Sequence, residues 1–275
     1  MDRLLIMVAP NGARRTKRDH PRIPLTARDI GIAARECMLA GAAAIHAHVR
    51  DASGVHSLDA GLYRDAIGQI REQCGDGMVI QVTTEAAGLF APEEQAAAVR
   101  ALRPTAISLS VREILRGGEA FALAFLRWAA GEGIAIQFIL YDGADIDTLA
   151  DWRARKVLSP ATPPRLILVA GRYGEAEGST FDHFMDLYSR LSARGLDRDA
   201  VWMTCAFGRG EMACLEETIK LGGHVRVGFE NAIVDEHGRL ARDNAERVSM
   251  VAELAKRAGR DLATADDAKR ILCVM

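Results

Sequence analysis

Short apolar runs alternate with longer amphipathic stretches about eight times along this chain. The runs Leu4–Ala9, Ala43–Val49, Met78–Thr83, Ala106–Ser110, Ile134–Leu140, Arg165–Val169, Ala200–Cys205 and His224–Phe229 are rich in Val, Ile and Leu. Such runs predict strands buried on both faces of a parallel sheet. Helical periodicity predicts a first helix over Ile30, Ala33, Ala34, Cys37 and Met38, opened by a variant capping box at Thr26 and Asp29. Further helices are predicted at Asp59–Gln73, Pro92–Leu102, Glu119–Gly131, Asp145–Val157, Thr180–Ala193, Arg209–Leu221 and Asp243–Arg257, with Thr264–Leu272 as an extra capping helix. Gly41, Gly195 and Gly222–Gly223 follow predicted helix ends, where glycine readily takes the left-handed backbone that terminates a helix.

Eight strand-then-helix units predict a (β/α)8 TIM barrel, a single domain over residues 1–275. A doubly wound open sheet stays in play, but no Gly-x-Gly-x-x-Gly turn follows the first strand. The 275 residues suit one barrel, and 49% hydrophobic with 26% charged residues is ordinary globular composition. A net charge of −2 and only 5% aromatic residues argue against nucleic acid as a partner. Five scattered cysteines without a Cys-x-x-Cys pair fit a reducing compartment. With no apolar stretch of membrane-spanning length, a cytoplasmic location is expected.

Candidate chemistry begins at Ile45-His46-Ala47-His48-Val49. On a strand, His46 and His48 share a face opposite the aliphatic side chains. They are expected to point into the barrel near its C-terminal mouth, where barrel enzymes place their catalytic groups. Alone, two interior histidines are as readily satisfied by hydrogen bonds as by a metal. The last strand, His224-Val225-Arg226-Val227-Gly228-Phe229-Glu230-Asn231, changes that balance. Alternation puts Arg226, Gly228 and Glu230 on one face, so Glu230 is expected at the same mouth. His46, His48 and Glu230 then make a three-ligand site suited to Zn2+, with a position left open. The same donors can hold Fe(II). The alternative for Glu230 is an ion pair with an inward arginine.

These segments resemble the β-keto acid cleavage enzyme family, best known for 3-keto-5-aminohexanoate cleavage. The likeness rests on Asn11-Gly12-Ala13 with Thr16, Leu25-Thr26, Ala40-Gly41-Ala42 leading into His46-Ala47-His48-Val49-Arg50, and Ile80-Gln81-Val82-Thr83-Thr84. It continues through Ala206-Phe207-Gly208-Arg209, Gly222 to Glu230, Gly259-Arg260 and Leu262-Ala263-Thr264. The resemblance implies a homotetrameric TIM barrel with zinc on His46, His48 and Glu230. It implies that a β-keto acid and acetyl-CoA give acetoacetate and a new acyl-CoA. Arg226 is implied in catalysis, with Asn11, Arg14, Thr83, Ser108 and Ser110 near the substrate.

Departures from the family pattern bear on mechanism. Asn231 stands where similar enzymes place an aspartate thought to be the base, and an amide is no proton acceptor at neutral pH. Ile139 and Gln137 occupy fifth-strand positions that carry acids in those enzymes. Glu85, Tyr141 and Asp142 are candidate replacements. Arg14 replaces a glutamate suited to an ammonium tail and favours an anionic or polar one; a solvated loop or a CoA phosphate contact are its other readings. Arg112 replaces a glycine and is expected to reshape the pocket. His20 is expected to shape the first loop, His224 to pack at its strand's start, and His56, His183 and His237 to lie at the surface. A zinc hydrolase or aldolase, or a non-catalytic keto-acid-binding barrel, remain as competing readings.

Overall fold

The computed structural model describes residues 3–159, 162–171 and 179–274. Eight parallel strands close into one barrel: β1 Ile6–Val8, β2 Ala44–Ala47, β3 Val79–Val82, β4 Ala106–Ser110, β5 Ala135–Leu140, β6 Arg165–Ala170, β7 Val201–Ala206 and β8 His224–Val227. Neighbours in sequence are neighbours in the barrel, and β8 pairs back onto β1 with Met7 opposite Arg226. Each expected strand is present, in the expected order. The expected helices are also present; Pro92–Leu102 and Glu119–Gly131 have the expected bounds, and no other end is shifted by more than three residues, as fraying caps allow.

Alternation along the strands divides the apolar residues between two cores. Ile45, Ala47, Ile80, Val82, Ile107, Leu109, Phe138 and Leu140 face the surrounding helices. Leu5, Met7, Ala44, Val79, Ile167, Met203 and Cys205 fill the barrel, and Ala268 and Leu272 join them from the helix Ala265–Leu272. That last helix therefore packs against the barrel interior, as its capping assignment anticipated. Its start is held by a capping box in which Thr264 accepts from the Asp267 amide. The first helix, Ala27–Leu39, carries the predicted box at Thr26 and Asp29.

Among the described residues, periodicity missed short elements that include two strands and two helices. Val49–Arg50 and His56–Ser57 pair as an antiparallel ribbon above β2. The helix Val111–Leu115 leaves β4 directly, capped by the Ser110 hydroxyl. A short helix, Leu196–Asp199, precedes β7. Segments this short carry too few residues for a repeat to register. Among the described residues, no helix is long and apolar enough to cross a membrane. Met275 lies outside the described residues.

Candidate active site

His46 belongs to β2, whereas His48 follows its last residue, and both are buried. Their Nε2 atoms lie 3.0 Å apart. Glu230 reaches them from the other side of the β1 loop, its Oε2 3.4 Å from His48 Nε2 and 3.8 Å from His46 Nε2. One donor atom from each residue falls within 4.8 Å of the others, so the three side chains converge on a point that can hold a metal ion.

Glu230 arrives there by a different route from the one alternation predicted. Strand β8 ends at Val227, and the chain turns at Gly228, whose φ is +146°. A Cβ on Gly228 would meet the Ala9 carbonyl oxygen at 2.4 Å, so only glycine lets β8 pass this close to β1. The Glu230 amide then donates to that same carbonyl at 3.1 Å. The carboxylate is aimed inward by this turn and not by the pleat. Phe229 packs with Ile23 and Ala241 in a small cluster of its own.

Around these donors runs a set of buried polar contacts. His46 Nδ1 meets Gln81 Oε1 at 2.8 Å, and Gln81 Nε2 donates to Gln137 Oε1 at 3.0 Å. The outer ring nitrogen of His46 thus faces the Gln81 amide oxygen, an acceptor in this arrangement, which favours the tautomer whose Nε2 lone pair is available to a metal. Burial, with Arg226 and His48 nearby, depresses the His46 pKa to about 3, so the imidazole stays neutral at physiological pH. For Glu230, burial pushes the pKa up, but Arg226 and then the two histidines outweigh it and hold the carboxyl well below its usual range. A neutral imidazole and an ionised carboxylate are the forms that coordinate metal. The donor set fits a divalent ion.

Arg226 donates to Glu230 Oε1 at 3.2 Å and lies 3.2 Å from Cys205 Sγ. The expected arginine–glutamate ion pair and the expected metal donors therefore coexist, on different oxygens of one carboxylate. Asn11 is a brace: its amide donates to the carbonyls of His48 and Pro24 and accepts from the His48 amide. Thr83 is likewise engaged, accepting from the Glu85 amide at 2.9 Å. Ser108 is fully buried, and its hydroxyl has no hydrogen-bond partner among the described residues. Asn231 is also fully buried, with neither amide atom hydrogen-bonded among the described residues.

The basic loop after β1 splits by role. Arg15 bonds the carbonyls of Phe229 and Asn231, and Lys17 pairs with Asp29 at 3.4 Å. Arg14 is exposed, and its charge acts on Glu85. Arg112 binds Asp142 and Asp145 and lies over the Tyr141 ring at 4.9 Å. Asp142 also caps the helix Gly143–Ala154, so it is committed to structure.

Two histidines expected at the surface are not there. His56 is buried, its ring centroid 5.3 Å from that of His48, and its Nε2 contacts the Glu85 carbonyl at 2.9 Å. His183 is half-buried and bridges the Gly171 amide and the Tyr141 carbonyl. Only a tertiary contact brings either inward. His237 is exposed, His224 accepts from the Leu5 amide, and His20 packs on Phe229. The Gln81–Gln137 chain was legible in principle, because Gln81 shares the inward face of β3 with Val79.

Fold and site together define a class: a barrel enzyme with a His-His-Glu donor set and a buried arginine at its mouth. The beta-keto acid cleavage enzyme family model matches residues 3–274, and the chain belongs to that family. It is accordingly an acyl-transferring, carbon–carbon bond-cleaving enzyme. It is 30% identical to a 3-keto-5-aminohexanoate cleavage enzyme of Acetoanaerobium sticklandii, over 99% of this chain and 98% of that one. It is 25% identical to a 3-oxoadipate:acetyl-CoA acetyltransferase of Cupriavidus necator, over 98% and 94% of the two chains. In fold it is similar to ObcA in binary complex with oxaloacetate, with a TM-score of 0.73 and 17% identity over 92% of this chain and 68% of that one.

Proposed function

We propose that this enzyme cleaves a β-keto acid with acetyl-CoA as co-substrate, giving acetoacetate and a new acyl-CoA, at a zinc ion held by His46, His48 and Glu230. The observation that carries the reading is the convergence of three metal donors beside Arg226 in a member of this family. A bound zinc supplies Lewis acidity, polarising the ketone and stabilising enolate charge. Arg226 lends a fixed positive charge to the substrate carboxylate while holding Glu230 ionised. The Ser108 hydroxyl, buried and without a partner among the described residues, orients the substrate. Thr83 and Ser110 contribute by shaping the mouth, since their hydroxyls already serve the Glu85 and Glu113 amides. The Asn231 amide, without a hydrogen-bond partner among the described residues, donates to the substrate and takes no proton.

The substrate tail is anionic or polar, recognised by Arg14 at the rim. The relatives' names include a cleavage enzyme for an amino-substituted keto acid and an acetyltransferase for 3-oxoadipate. Arginine where the amine-specific pattern has glutamate supports the second kind of tail. The assembly is a homotetramer, a point that light scattering checks directly.

The test is a mass-spectrometric assay of zinc-loaded enzyme with acetyl-CoA and β-keto acids bearing anionic, neutral and cationic tails. Acetoacetate together with a new acyl-CoA is expected, fastest with an anionic tail. Turnover without acetyl-CoA would instead indicate hydrolase or aldolase chemistry. Ligand-induced stabilisation without turnover would indicate a binding protein.

A further inference from the structure

We propose that Glu85 is the outer carboxylate that orients His48 for metal binding, a positioning residue specific to the loop after β3. The inference rests on the His-His-Glu site being a metal site. His46 and His48 are unequal in their surroundings. His46 has an amide acceptor at hydrogen-bond distance on its outer nitrogen, Gln81 Oε1 at 2.8 Å. His48 Nδ1 is buried with no hydrogen bond among the described residues, and the Glu85 carboxylate oxygen lies 3.9 Å from it. A histidine bound to metal through one ring nitrogen characteristically donates the other N–H to such an acceptor, which fixes the ring and strengthens the ligand.

The main chain at Glu85 is held from several sides. Its amide donates to Thr83 Oγ1 at 2.9 Å, and its carbonyl meets His56 Nε2 at 2.9 Å. The next amide, Ala86, donates to Glu113 Oε2 at 3.0 Å, and Thr84 Oγ1 donates to the Ser108 carbonyl at 2.8 Å. His56 also packs its ring against that of His48, which limits how far His48 can turn. Closing the 3.9 Å separation to a hydrogen bond takes a movement of about 1 Å at the Glu85 carboxylate.

The test compares wild type, Glu85→Gln, Glu85→Asp and Glu85→Ala as metal-free proteins, titrated with zinc against a chromophoric chelator. Losing such a partner weakens metal binding by about 10–100-fold. That loss is expected in Glu85→Ala and Glu85→Gln, with partial recovery in Glu85→Asp. Nitrogen-15 spectra of histidine-labelled protein are expected to show a protonated His48 Nδ1 in the zinc form of wild type, shifted in Glu85→Gln. Unchanged zinc affinity in folded Glu85→Ala overturns the proposal, and a changed KM alongside it would mark Glu85 as a substrate contact. If wild type itself takes up no zinc, the metal reading falls and this one with it.

Discussion

Gly12→Ala is a small substitution aimed at the metal ligand set. Gly12 has φ +63°, and a Cβ built there would lie 2.6 Å from Glu230 Cγ and 3.1 Å from Glu230 Cβ. An L-residue forced into the left-handed region costs about 1–2 kcal/mol. Crowding a packed site by one methyl adds about 1–3 kcal/mol. The combined destabilisation is therefore about 2–5 kcal/mol, read as a lower denaturant midpoint. Relief must come from the Glu230 side chain, because its amide is tied to the Ala9 carbonyl at 3.1 Å. Ligand distances at metal sites lie within about 0.2 Å of their usual values. A carboxylate pushed by the new methyl is expected to lose at least tenfold in zinc affinity. Gly54→Ala is the control: its φ is +80°, yet a Cβ there meets no atom of the described residues within 4 Å. It carries the backbone strain without the collision. Chelator competition on both variants separates the two effects. Equal zinc affinities for Gly12→Ala and Gly54→Ala would refute the claim that Gly12 makes room for Glu230.

Three further outcomes are expected. Arg14→Glu should move the kcat/KM ranking from anionic toward cationic β-keto acids by tenfold or more, and an unchanged ranking removes Arg14 from tail recognition. Asn231→Asp restores a proton acceptor and should raise turnover on simple β-keto acids; no gain, with fold and zinc intact, means that the proton is handled elsewhere. Metal-free protein should lose stability as pH falls from about 6.5, the ordinary histidine value, through the range in which the buried histidines titrate. Burial depresses His46 to about 3 and His56 to about 4, so the unfolded chain binds protons there that the native state does not. Their stabilising contribution is present above the ordinary value and lost as pH falls, by about 1 kcal/mol per pH unit for each. Glu85, raised chiefly by burial, offsets part of this trend. A flat denaturant midpoint between pH 7 and pH 5 would contradict this.

The barrel and the donor set were legible before any coordinates because both depend on repeating or local patterns. Eight buried strands announce themselves as apolar runs, and β2 puts His46 inward by its period of two. Tertiary structure decided the rest. Glu230 lies beyond the end of β8, where alternation no longer applies, and it reaches the histidines because Gly228 lets the chain turn tightly over β1. Asn11, expected from sequence near the substrate, also has its amide hydrogen-bonded to the His48 main chain. His56 and Glu85 carry no periodic signal, being a ribbon residue and a loop residue distant in sequence. They meet at His48 only when β2 and β3 lie side by side. Periodicity reports which way a side chain points within an element. The partners that hold a metal ligand come from neighbouring elements, and closing the barrel is what sets their distances.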